Sequence, residues 1–416
     1  MPMKKLLFGA LAVLAILVAV AALWWFRPWS DYSPAETIRL ATSRDRVDSF
    51  RNMEATYPYR RIEGADTIYA FPDGPALTNT AYAWDGERRT LDDYAEDWTI
   101  TGLMVVANGK KALERYFRGE TADSRHTSWS VAKSVTATLI GRALMEGRID
   151  SLDDPVEKYA AEYEDTDYGR TSLRHLLMMS SGIDFEEEYE RADGDARRLF
   201  LDTFLFNRDI DESLGVLTHN REPGRDHDYI SPNSAVLAAV VRGVNGGRPL
   251  AEVAQEQLFE PLGMRSGTWL LDRRGGKELG YCCLQVTLED YAKLGQLYLQ
   301  GGVVGTQRIV PKDWPTFVST PPQESHLPAD SLDEAPGEMR GYGHHFWLPA
   351  ARRPTEEGGE YFMAGYNGQI VWIDPGNDVV IAMTSADPDF AQKKPEWIAM
   401  FRALADRANA RAQAAE

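Results

Sequence analysis

The stretch "SVAKSVTATLIGRALME", from Ser130 to Glu146, limits the fold more than any other. Val131, Val135 and Leu139 repeat every four residues, Ala137, Ile140 and Leu144 lie alongside, and Gly147 is placed to end a helix. Such a helix is apolar or small nearly all round. It has no face to give to water and must be buried in the middle of a domain. The flanking sequence supplies elements to cover it. "GLMVVANGKKALERYFRG" reads as two strands joined at Asn108-Gly109, and "GQIVWIDPGNDVVIAMTS" as strand, Pro-Gly-Asn turn, strand. From Asp150 to about Pro322, "SLRHLLMMSSG", "SAVLAAVVRGV" and "LEDYAKLGQLYLQGG" read as helices broken by turns, and a last amphipathic helix covers about Pro395 to Ala410. Strand pairs at both ends with helices between predict an α/β fold: one sheet closed by both ends of the chain, with a helical subdomain over about 150–322 inserted into it. Residues 31–98, rich in Pro, Asp, Arg and Tyr with weak periodicity, read as a linker and N-terminal lobe.

Residues 1–30 form a separate unit. Lys4 and Lys5 precede an apolar run from Leu6 to Phe26, long enough to span a bilayer, whereas secretory h-regions are usually only about 7–15 residues. Trp24 and Trp25 stand where an aromatic belt would, with Arg27 just beyond. The lysines would stay cytoplasmic, placing everything after Phe26 on the periplasmic or extracellular face. The reading is an uncleaved membrane anchor; a cleaved signal segment, ending near Ala19-Val20-Ala21, is the alternative.

A formal charge of −18 offers no basic face to phosphates, so a nucleic-acid partner is not expected. The two cysteines, Cys282 and Cys283, are adjacent, and neighbouring Cα atoms lie about 3.8 Å apart, closer than disulfides usually bridge. They read as small buried residues without a bond. The seven histidines show no H-x-H or H-E-x-x-H spacing, so no metal is expected. The acidic stretch from Asp184, "DFEEEYERADGDARRLF", reads as a solvated loop, with a lid over a pocket as the alternative.

The chemistry centres on Ser130 and Lys133. A serine hydroxyl is a poor nucleophile at neutral pH and needs a nearby base. Three residues apart on a helix, the two side chains share a face. A lysine buried against apolar helices loses hydration, which lowers its pKa and makes the neutral amine available. The bland alternative is an N-cap serine followed by a snorkelling lysine.

Ser130-Val131-Ala132-Lys133 resembles the S-x-x-K element of the serine β-lactamase and penicillin-binding superfamily, closest to its class C-like branch of esterases, D-aminopeptidases and aminohexanoate-oligomer hydrolases. In the same order, "SLRHLLMMSSGIDF" is similar to that family's LLxMtSGld segment and "HDYISPNSAVLAAVV" to its Tyr-x-Asn or Tyr-x-Ser motif. "GYGHHFWL" and "FMAGYNGQIVWIDPGNDVVIAMTS" are similar to the strands around its third motif. The resemblance covers roughly Leu103 to Leu404. It implies a β-lactamase/transpeptidase-like domain over 99–416, an antiparallel sheet flanked by helices with an all-helical insertion.

The resemblance also implies roles. Ser130 would be the nucleophile, Lys133 its activator, and Tyr229 a second base, its phenolate stabilised by Lys133. The backbone amides of Ser130 and Tyr366 would form the oxyanion hole, and Ser231 and Gly365 would contact substrate. No cofactor is implied. One departure stands out: where lactamases and peptidoglycan enzymes carry Lys-Thr-Gly or a His-containing relative, this chain has Met363-Ala364-Gly365. Strong recognition of a substrate carboxylate there is in doubt, because the pairing cation is missing. The expected activity is hydrolysis of a small-molecule ester or amide. The rivals are a D,D-peptidase or peptidoglycan amidase, and a non-catalytic binding or sensor module on the same scaffold.

Overall fold

The strand Ile100–Ala107 is buried on both faces and organises the molecule. Met104 and Val106 point into the core around the central helix, Val131–Met145, while Leu103, Val105 and Ala107 point into a second core under the C-terminal helix, Glu396–Gln413. Residues of a strand alternate between faces, so one strand serves two cores only when both are apolar. The computed structural model describes residues 2–27, 33–42, 46–189, 191, 193–321, 339–352, 359–390 and 396–415. The expected helix start at Pro395 and subdomain end at Pro322 lie outside them.

Seven strands form the main sheet, in the order Met339–Tyr342, Trp347–Pro349, Tyr361–Gly365, Gln369–Asp374, Val379–Ser385, Ile100–Ala107, Lys110–Tyr116. Every neighbouring pair is antiparallel. The closing register sets Val379 against Ala107 and Met383 against Leu103, joining the two ends of the chain. This is the β-lactamase/transpeptidase-like α/β fold expected from the sequence. The helix Leu288–Leu299 lies against the inner face. A Cβ at its Gly295 would meet Val380 and Val371 at 2.6 and 2.8 Å, so the small residue lets the helix seat on the sheet.

One expectation needs correction. Between Val156 and Leu262 the elements are helices alone, but the inserted region is not helical throughout. Gly267–Leu270 and Leu284–Thr287 are strands, pairing with Tyr59–Ile62 and Arg125–Thr127 in a second, four-stranded sheet. Four-residue stretches carry too few positions for a period to show. Within 31–98, read as a linker and N-terminal lobe, Phe50, Met53 and Tyr57 are buried in the core that holds the central helix.

The N-terminal helix runs over Pro2–Phe26. Within the 22 residues from Lys5 to Phe26 an 18-residue window has a mean hydropathy of 3.0, none of that window is buried against the rest of the protein, and the helix is long and apolar enough to cross a bilayer.

Candidate active site

Ser130 directly precedes the central helix, yet it does not cap it. Its backbone is already helical, at φ −70° and ψ −5°, and its side chain accepts from no helix amide. The hydroxyl instead accepts a hydrogen bond from Lys133 Nζ at 2.8 Å. Trp129, one residue earlier, sits at φ +42°, a left-handed step that a bulky residue adopts only when its surroundings hold it. The rings of Phe50 and Tyr366, at 5.3 and 5.8 Å from its own, provide that hold.

Lys133 does not snorkel. It is 1% exposed, and its Nζ donates to Ser130 Oγ, to Ser231 Oγ at 3.1 Å and to the Tyr281 carbonyl at 3.2 Å. All three acceptors are uncharged. Burial without a neutralising contact disfavours the ammonium and brings the pKa down to about 8, with the Glu187 carboxylate pulling modestly the other way.

Tyr229 lies across from this pair. Its ring packs on Trp347 and Tyr342 at 5.4 and 5.8 Å, Lys133 Nζ stands 5.0 Å from the ring centroid, and its hydroxyl hydrogen-bonds with Ser130. Burial pushes its pKa above the ordinary tyrosine value, and the bond to Ser130 only partly offsets this. Burial therefore works against the phenolate implied by the family resemblance.

Ser231 opens the helix Ser231–Val244 and comes to the same place. Its amide donates to Glu187 Oε2 at 2.9 Å and its hydroxyl donates to Glu187 Oε1. The acidic stretch is thus more than a solvated loop, because Glu187 and Tyr189 both enter the wall of the site. Nothing in three consecutive glutamates marked which one would turn inward.

Gly365 ends the strand Tyr361–Gly365 against the turn that leads into Ser130. A Cβ there would lie 2.2 Å from the Ser128 carbonyl oxygen, so the close approach that requires glycine is made by protein backbone. Tyr366 follows directly. Gln369 Nε2 donates to its carbonyl at 3.0 Å, and Gln369 Oε1 accepts from the Ser385 amide at 3.1 Å, which fixes the turn beside Ser130.

Cys282 and Cys283 are buried as expected but are joined by a disulfide, which corrects the reading from Cα spacing. Their Cα atoms are 3.7 Å apart, and Cys283 takes φ +69°, a turn that brings adjacent side chains together. The bonded pair directly follows Tyr281, whose carbonyl holds Lys133.

A cavity of about 220 Å³ opens at Ser130. Ser231, Glu187, Tyr366, Arg46 and Arg197 border it, and much of the remaining lining is apolar. Among the described residues no cluster of three His, Cys, Asp or Glu side chains is placed to hold a metal ion.

Residues 88–405 match the model of the beta-lactamase family. The chain belongs to that family. Among its relatives, the 6-aminohexanoate-dimer hydrolase of Paenarthrobacter ureafaciens is 30% identical over 320 residues, spanning 70% of this chain and 74% of that one. The D-aminopeptidase of Brucella anthropi is 29% identical over 167 residues, 38% of this chain and 30% of its own. In fold, a solved structure described as a candidate 6-aminohexanoate-dimer hydrolase from Bacillus anthracis superposes with a TM-score of 0.75 at 24% identity, covering 89% of this chain and 95% of that one. Beta-lactamase family hydrolases thus surround this chain, amide-cleaving ones among them.

Proposed function

We propose that this chain is a serine hydrolase that cleaves an ester or amide through an acyl-enzyme on Ser130. One observation carries the reading: Lys133, buried and touching no carboxylate, is held 2.8 Å from the Ser130 hydroxyl. Its neutral amine accepts the Ser130 proton as Oγ attacks the carbonyl carbon. The backbone amides of Ser130 and Tyr366 receive the oxyanion, and Gly365 and Ser231 border the substrate. Tyr229 gives its proton to the leaving alcohol or amine. The phenolate so formed is transient and takes back a proton from the Lys133 ammonium. Water then attacks the acyl carbonyl, its proton passing through the same pair to Ser130.

The relatives suggest linear amides and D-amino acid amides for a first substrate panel. A D,D-peptidase is weaker, because Met363 stands where a carboxylate-pairing lysine would and Glu187 lies beside the nucleophile. The N-terminal helix supports a membrane anchor with the catalytic domain outside the cytoplasm, in keeping with its apolar length and the lysines before it.

Intact-mass spectrometry after incubation with a fluorophosphonate tests the nucleophile. One adduct on the wild type, absent from Ser130→Ala, is expected. An unmodified wild type, or an equally labelled variant, would return the site to a binding or sensor role.

A further inference from the structure

Resting on that hydrolase reading, we infer that the cavity beside Ser130 is an acyl-chain site, and that the enzyme prefers substrates whose acyl part is a linear, uncharged chain of medium length. Three stretches supply much of the apolar wall. Ile38 and Phe50 belong to the helices Pro34–Thr42 and Val47–Arg51, which follow the N-terminal apolar segment; Leu199, Phe200 and Phe204 come from the helix Asp195–Phe204; Cys282 comes from the disulfide turn. Thr37 Oγ1 donates to the Phe204 carbonyl at 3.3 Å, tying the first wall to the second. The two guanidinium groups on the cavity are not set deep within it: Arg197 is exposed, and half-buried Arg46 lies over the Tyr366 ring at 5.7 Å.

The side of the reaction that uses this cavity follows from Tyr229. A leaving group departs next to the residue that protonates it, and Tyr229 is not among the residues lining the cavity, whereas Ser130, Ser231 and Tyr366 are. The space therefore lies on the acyl side of the scissile bond. The Glu187 carboxylate at its Ser130 end disfavours an acyl group with a negative charge near the carbonyl. The apolar side chains Ile38, Phe50, Leu199, Phe200 and Phe204 along the cavity favour an apolar chain, which gains by leaving water.

The test uses full-length protein in lipid nanodiscs and two ester series. In one, p-nitrophenol is the constant leaving group and the acyl chain grows from acetyl to octanoyl; in the other, acetyl is constant and the alcohol grows. In the acyl series kcat/KM rises about fourfold per methylene until the cavity is filled, and the alcohol series stays nearly flat. Ala196→Trp, which fills the cavity, lowers the octanoyl-to-acetyl ratio at least about tenfold, and Ile38→Asp, which places a charge in the wall, lowers it in the same direction. A flat acyl series, an equally steep alcohol series, or ratios unchanged in both variants overturns the acyl site while Ser130 still labels. Loss of fluorophosphonate labelling in the wild type overturns the hydrolase reading and the acyl site with it.

Discussion

Among the described residues two lysines are buried near helix starts, each three residues after a polar partner, and their surroundings differ. Lys293 is 2% exposed and donates to Asp290 Oδ1 at 2.8 Å and to the Gly263 carbonyl at 2.9 Å. Asp290 also accepts from the Thr287 hydroxyl and the Arg265 amide, so a closed ion pair pins one end of the helix Leu288–Leu299. Lys133 is equally buried but faces two hydroxyls and a carbonyl. Burial alone, then, does not mark a catalytic lysine. The charge of the partners separates the two: a carboxylate pairs with Lys293, whereas the groups that hold Lys133 are uncharged.

The largest effect should separate the two by activity. Lys133→Ala removes the base from Ser130 and is expected to lower kcat/KM by about 10⁴-fold, the upper end for loss of a positioned proton acceptor. Lys293→Ala leaves the site's own contacts intact, so kcat/KM per active site, counted by fluorophosphonate titration, should stay within a few-fold. Similar losses in both variants would break the comparison.

Stability should separate them in the reverse sense. Lys293→Met keeps the volume but leaves Asp290 as an uncompensated buried carboxylate, a loss of about 3–5 kcal/mol in urea unfolding. Lys133→Met leaves only uncharged acceptors, and the change should be about 1–2 kcal/mol or less. A larger loss from Lys133→Met than from Lys293→Met would mean that the Lys133 cluster is chiefly structural.

A pH series sharpens this further. The folded-state pKa of Lys133, about 8, lies below its unfolded value, so the unfolded chain binds the extra proton between them. The penalty for burying the charge is fully present below pH 8 and is lifted as pH rises toward about 10.5. Relative to Lys133→Met, the wild type should gain about 3 kcal/mol across that window. A flat difference would show that the amine is not titrating in the core.

These contrasts also show what the sequence could carry. Ser130 and Lys133 were legible because a single helix fixes their spacing, and that helix is too apolar to lie anywhere but inside. Tyr229, Ser231 and Gly365 were legible only as an ordered set of family motifs, since each alone resembles ordinary core or turn chemistry. Lys293 was not singled out at all: its meaning depends on Asp290 and on the Gly263 carbonyl, 30 residues away. The Tyr281 carbonyl that holds Lys133 is a backbone atom, which no letter of the sequence records. The Cys282–Cys283 bond depends on a left-handed turn at Cys283, and the strands Gly267–Leu270 and Leu284–Thr287 on pairing with distant Tyr59–Ile62 and Arg125–Thr127. What was missed is what long-range packing decides.

The smallest expected effect tests a carboxylate that influences Lys133, Glu187. Glu187 is held against Ser231 rather than against the amine, and its charge raises the Lys133 pKa against the larger lowering by burial. Because the neutral amine is the working form, the fluorophosphonate labelling rate should climb with pH and level off above about 8. Glu187→Gln keeps an acceptor for Ser231 but removes the charge, so the rising limb should move to lower pH while the plateau changes little. Asp290→Asn, the matching change at the other lysine, should leave the limb in place. If the limb stays fixed in Glu187→Gln, Glu187 merely shapes the loop; if it moves in Asp290→Asn, the two lysines are not electrically separate, and their contrast fails at its physical root.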